Sequence, residues 1–224
     1  MGIPEEYFAF IADKGFPCIA AKAALSREQI QVLVCDHIAC PKDDSAIIDF
    51  LYDFTDHYRQ ATKLYNSAVV IFKGPSLCSE EQFDQLMWQR LQSISDRDAL
   101  QHPWDKRVSS DPSHPDFSFS IKAEAFYVIG LHPGSSRKAR RFQYPALVFN
   151  PLSQFEKLRE DGRYAVMKES VRKRDKEYSG SVNPMLADFG ESSEAFQYSG
   201  RVYNKEWKCP FVSHHETDQH HSTT

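Results

Sequence analysis

The feature that most limits what this chain can become is the apolar run from Ala123 to Leu131, which stops abruptly at His132-Pro133-Gly134. A run of that kind reads as the middle strand of a sheet, and Pro-Gly turns the backbone out of it. Two serines and three arginines follow before Phe142. In sheets layered with helices, sites collect where strands end and the chain bends away. A strand-terminal imidazole beside a basic cluster makes His132, with Arg137, Arg140 and Arg141, the first candidate for holding an anionic, metal-bearing ligand.

The flanking segments alternate between helix and strand periods. Pro4 and Gly15 bracket a helix over 5–14, with acids at its front and a lysine at its back to complement the dipole. Gly15-Phe16-Pro17-Cys18 breaks it, and the small apolar residues from Ile19 to Leu25 read as buried or lining something. Cys18 itself reads as a small buried hydrophobe or a soft metal ligand. Ile30–Cys35 and Ala68–Phe72 read as strands. Between them Asp43-Asp44-Ser45 caps a helix from Ala46 to about Tyr65, whose stripe is Ile47, Leu51, Phe54, Tyr58, Ala61 and Tyr65. Ser79 to Gln82 is a capping box opening a helix through Ile94. Phe117–Ser120 and Ala146–Phe149 add strands, and Ser153 to Glu156 reads as a second capping box. Tyr164, Met167 and Val171 place one more helix on the core, with Lys168 to Lys176 as its solvated face. The order predicts an α+β (or α/β) chain: a single domain over 1–212, with a central mixed sheet flanked by helices and a loop-rich C-terminal segment. A disordered polar tail is expected over 213–224.

Several function classes recede. A net charge of −4 argues against a nucleic-acid platform. No apolar stretch approaches the roughly eighteen residues that span a bilayer. The first residues lack a signal peptide's basic start, and five cysteines without disulfide-like spacing fit reduced thiols in a cytoplasm. No Cys-x-x-Cys pair occurs, which excludes zinc knuckles and covalent c-type haem. Lys73-Gly74-Pro75-Ser76 is the nearest approach to a phosphate loop, and its proline is wrong for an amide nest. The long polar loop from His102 to Pro115 has the length of a lid and offers His102 and His114 as further ligands.

Dispersed motifs then fall into a consistent order. Phe16-Pro17-Cys18, Leu131-His132-Pro133 with Ser136-Arg137, and Ala139-Arg140-Arg141-Phe142 resemble the YqcI/YcgG family. Phe149-Asn150-Pro151, Asn183-Pro184-Met185-Leu186, Asp188-Phe189-Gly190 and Tyr198-Ser199-Gly200 continue the match over nearly the whole chain except the tail. Members with assigned activities are haem-dependent N-hydroxylases of arginine or arginine-derived guanidines, including steps toward D-cycloserine and guanitoxin. The resemblance thus implies a haem-dependent monooxygenase that uses O2 and electrons from an external reductase or ferredoxin. A haem-binding sensor or carrier without turnover is the alternative, and a metal-free enzyme or binding module a third. Haem b needs an axial ligand, an apolar slot and partners for its propionates. The first choice of axial ligand is His132, and the second is Cys18, whose thiolate would favour O–O cleavage. Arg137, Arg140 and Arg141 are the expected propionate partners, because guanidinium forks match carboxylates. A guanidine substrate needs a carboxylate, for which Glu124, Asp188 and Glu194 are the candidates.

Overall fold

Strand alternation sets the layering. A computed structural model describes residues 2–61, 64–185, 190–204 and 206–215. Its strands are β1 (Ile30–His37), β2 (Ser67–Gly74), β3 (Phe119–Ile121), β4 (Glu124–Leu131) and β5 (Ala146–Pro151), in the order β1-β2-β5-β4-β3. β1 runs parallel to β2, and every other neighbouring pair is antiparallel. Successive side chains of one strand go to opposite faces. Ala68, Val70 and Phe72 of β2, with Phe126 and Val128 of β4, join one core, whereas Val69 and Ile71, with Ile129 and Leu131, join another. The sheet is therefore buried on both faces, which is why its central strands are continuously apolar.

Helices divide between those faces. α3 (Asp44–Gln60) and α4 (Glu80–Asp98) cover the first, and α7 (Ala195–Tyr198) adds Ala195 and Tyr198 to the same core. α1 (Ile3–Ala12) and α2 (Ile19–Ser26) cover the second, with α5 (Leu152–Glu160) and α6 (Tyr164–Ser179) following β5. The arrangement is the α+β single domain that the segment order implies. Among the described residues no helix is long and apolar enough to cross a membrane.

Three local expectations are corrected. The helix expected to reach Tyr65 stops at Gln60, because Ala61 turns extended and Tyr65 takes a φ of 74° to start the path into β2. The second capping box does not form: α5 starts at Leu152 directly from the strand, and Ser153 Oγ instead bonds Glu124 and Tyr58. The polar tail does not begin at residue 213. His215 is buried, with Nε2 3.0 Å from Asp98 Oδ2 and its ring edge-on to Trp104. Asp98, buried at the end of α4, already accepts the Lys122 amide, and the imidazole supplies it a further donor. Residues 216–224 lie outside the described residues.

The first capping box does form, with Ser79 Oγ accepting from Gln82 N at 3.1 Å and Gln82 Oε1 accepting from Ser79 N at 3.0 Å. Ser79→Ala is expected to cost about 1 kcal/mol in a urea titration, with no change in the slope.

Candidate active site

Parity along β4 decides where a site can be. Tyr127, Ile129 and Leu131 point to the second face, where Val148 of β5, Phe10 and Ile11 of α1 and Phe16 of the following turn meet them around a cavity of about 300 Å³. Its walls are mostly apolar, so water is weakly held there and any charge facing in is poorly screened.

Cys18 stands in this wall as the residue capping α2, and its Sγ accepts from Ala21 N at 3.4 Å. Burial pushes the thiol pKa up, while the amides of Ala21 and Ala20 pull it down. Sulfur at a helix N-terminus sits among donors that stabilise negative charge. Glu194 faces the same cavity. Its Oε2 accepts from Ser118 Oγ at 2.6 Å and from Tyr198 OH at 3.3 Å, and burial raises its pKa to about 7.

His132 is one residue past Leu131 and so faces the other way. Its ring stacks on Phe83 with centroids 4.3 Å apart, its Nδ1 lies 3.9 Å from Cys78 Sγ, and it is 1% exposed. Burial lowers its pKa to about 4, keeping the imidazole neutral at neutral pH. The first-choice axial ligand is thereby corrected: the sheet separates this imidazole from the cavity, and the second choice, Cys18, lines it.

The arginines divide similarly. Arg137 lines the cavity, paired to Asp175 and donating to Ser181 O at 2.8 Å. Arg140 also lines it, but its guanidinium donates to the carbonyls of Tyr198 at 2.6 Å, Gln197 at 2.8 Å and Gly130 at 3.3 Å. Arg140 is therefore corrected from a propionate partner to a clamp joining β4 to α7. Arg141 lies outside the cavity, donating to Ser135 O and Ser136 O, and is likewise corrected.

Of the three carboxylates, Glu124 is held by Arg107 at 3.1 Å, Ser153 at 3.1 Å and Arg59 at 3.7 Å, away from the cavity. It neutralises those arginines and is corrected as a substrate group. Asp188 lies outside the described residues. His114 is exposed, and His102 packs edge-on against Tyr52; neither reaches the cavity.

The helix expected on Tyr164, Met167 and Val171 forms as α6, but the roles expected of its two faces are corrected. Tyr164, Met167 and Val171 line the cavity instead of joining the core, and Lys168, Arg172 and Asp175 bring charge to the same wall. Their spacing of four and three residues is that of one helix face, which a uniformly charged segment conceals.

The YqcI/YcgG family model matches residues 7–212. Two relatives from Bacillus subtilis (strain 168) carry no functional description beyond uncharacterized protein. YqcI is 28% identical over 207 residues, and YcgG is 26% identical over 206; each alignment covers 88% of this chain and 80% of the relative. No solved structure matches the chain.

Proposed function

The chain belongs to the YqcI/YcgG family, and on that premise we propose that it is a haem-dependent monooxygenase, N-hydroxylating a guanidine or amine nitrogen of an arginine-like small molecule. The observation that carries the reading is the meeting of a helix-capping thiol, Cys18, with a buried carboxylate, Glu194, in one apolar cavity. Bound haem supplies the activation of O2, with electrons from an external reductase or ferredoxin.

The residues present fit that group. Cys18 would hold the iron, since a metal would claim the thiolate and offset the burial that otherwise keeps the thiol protonated. Phe10, Phe16, Ile129, Leu131 and Val148 give a flat macrocycle apolar faces and exclude water. Arg137, Lys168 and Arg172 on the same walls suit propionates. Glu194 orients the substrate, whose guanidinium fork matches a carboxylate in two bonds.

The test is reconstitution of the purified chain with haemin, followed by turnover with reductant, O2 and arginine-like guanidines. A Soret band together with a product heavier by one oxygen is the expected result. The band without product supports the sensor or carrier reading, and colourless protein removes both.

Glu194 also sets a pH dependence. Only its carboxylate form pairs with a guanidinium, so with a pKa of about 7 affinity falls as pH drops, about tenfold per unit once the acid form dominates. Above that pKa it is flat. Stability runs the other way, because a carboxyl whose pKa is raised on folding favours the folded state at low pH and loses that contribution as pH rises toward 7. Glu194→Gln is therefore expected to weaken guanidine binding at pH 8, remove its pH slope by calorimetric titration, and raise the melting temperature at pH 8.

A further inference from the structure

Aromatic residues form a second feature that leads away from the cavity. Tyr127 lines the cavity wall, and its ring centroid lies 5.9 Å from that of Tyr198. Tyr198 lies 5.8 Å from Trp88 at an interplanar angle of 25°, and Trp88 lies 6.3 Å from Trp207. Trp207 stacks on Tyr203 at 3.8 Å and is partly exposed, whereas Tyr198 and Trp88 are buried. Every ring in this series is tyrosine or tryptophan, the side chains that give up one electron most readily. The other buried indole, Trp104, instead meets Phe117, Phe119 and Phe211.

Proton acceptors stand where oxidised phenols need them. Tyr198 OH is 3.3 Å from Glu194 Oε2, and Tyr203 OH donates to Asp84 Oδ1. A phenol that loses an electron becomes a strong acid, and a carboxylate within hydrogen-bond distance takes its proton without a solvent path. The pKa of Glu194, raised by burial to about 7, leaves part of it ionised at neutral pH.

We propose that Tyr127, Tyr198, Trp88 and Trp207 form an electron path through the sheet, by which an oxidising equivalent left in the cavity is discharged at the surface. The proposal rests on the reading of the cavity as an oxidation site. A one-electron oxidant in the cavity is reduced by Tyr198, with Tyr127 lying between them as a tunnelling bridge that is not itself oxidised, and the Tyr198 proton passes to Glu194. Trp88 returns an electron to Tyr198, which recovers its proton from Glu194. Trp207 then reduces Trp88 and releases its indole proton to water. An external thiol finally gives Trp207 one electron and one proton. In sum, one electron moves from the thiol to the oxidant and one proton from the thiol to water.

The path is testable without haem. In the full chain, Met167→Cys places a thiol on the cavity wall for a ruthenium polypyridyl photo-oxidant, with Cys18, Cys40 and Cys209 replaced by serine. Flash excitation with a sacrificial electron acceptor generates the oxidant in place. A tryptophan-radical absorption and a spin-trap adduct on Trp207, located by mass spectrometry, are the expected results. Trp88→Phe should lose the Trp207 adduct and leave the radical on tyrosine, and Trp207→Phe should lose the adduct while keeping a radical at Trp88. An adduct on Trp207 that survives Trp88→Phe in a cooperatively melting protein overturns the path, as does its absence in the parent. The partly exposed Trp207 keeps the test available if Trp88→Phe does not fold. Because no haem is used, failure of haem binding and failure of the path are read separately.

Discussion

Cys18→Ala is expected to abolish the Soret band of haemin-reconstituted protein, while His132→Phe leaves it in place. Both side chains are soft or borderline donors in family-like motifs, and only their surroundings separate them. Cys18 reaches the cavity from the N-terminus of α2, where backbone amides favour the charge a metal-bound sulfur carries. The imidazole of His132 lies across the sheet against Phe83, 1% exposed and without an opening into that cavity. Swinging it round would break the stack on Phe83 and the bond from His132 N to Arg140 O that hold the turn after β4. His132→Phe keeps an aromatic ring to stack on Phe83, and a cooperative melt checks that folding is retained. Absorption and resonance Raman spectra of the two variants decide the matter. A pigment that survives Cys18→Ala and disappears in His132→Phe, with both proteins cooperatively folded, reverses the assignment.

The layered fold was legible because it rests on local periods. Alternation and helix stripes, with the Ser79 box, place most elements within a few residues of where they lie. The site was legible only in part. The same alternation that reveals β4 also puts Leu131 and His132 on opposite faces, so the sequence already held the objection to His132. A conspicuous motif drew attention to the histidine, whereas Cys18 looked like filler before a short apolar segment. What could not be read was long-range pairing. Arg137, Arg140 and Arg141 are equivalent in sequence, yet one meets Asp175, one meets three carbonyls and one folds back on its own loop. Each outcome depends on elements that are distant in sequence or on the curl of the loop itself. Likewise the charges of α6 sort into cavity-facing and outward sets only after the helix has docked.

Arg140→Met is expected to destabilise the haem-free protein by about 3–5 kcal/mol, because a buried guanidinium bonded to three carbonyls cannot be removed without leaving them unpaired. Gly130 O belongs to β4, and Gln197 O and Tyr198 O to α7, so the side chain ties a four-residue helix to the sheet. The fit is close: a Cβ on Gly200 would stand 2.9 Å from Arg140 Cδ, and Gly200 itself has a φ of 82°. Burial also lowers the guanidinium pKa, and the three carbonyl bonds offset part of that desolvation. For a domain of this size the loss corresponds to a fall of roughly 10 °C in melting temperature. Hydrogen exchange should rise at 195–198, and Glu194, one residue before α7, should lose its position in the cavity. The measurement separates two roles. A propionate partner would leave apoprotein stability unchanged on substitution and weaken only the haem complex. A clamp loses stability first, in the apoprotein, and affects the ligand through displacement of Glu194 and Gln197.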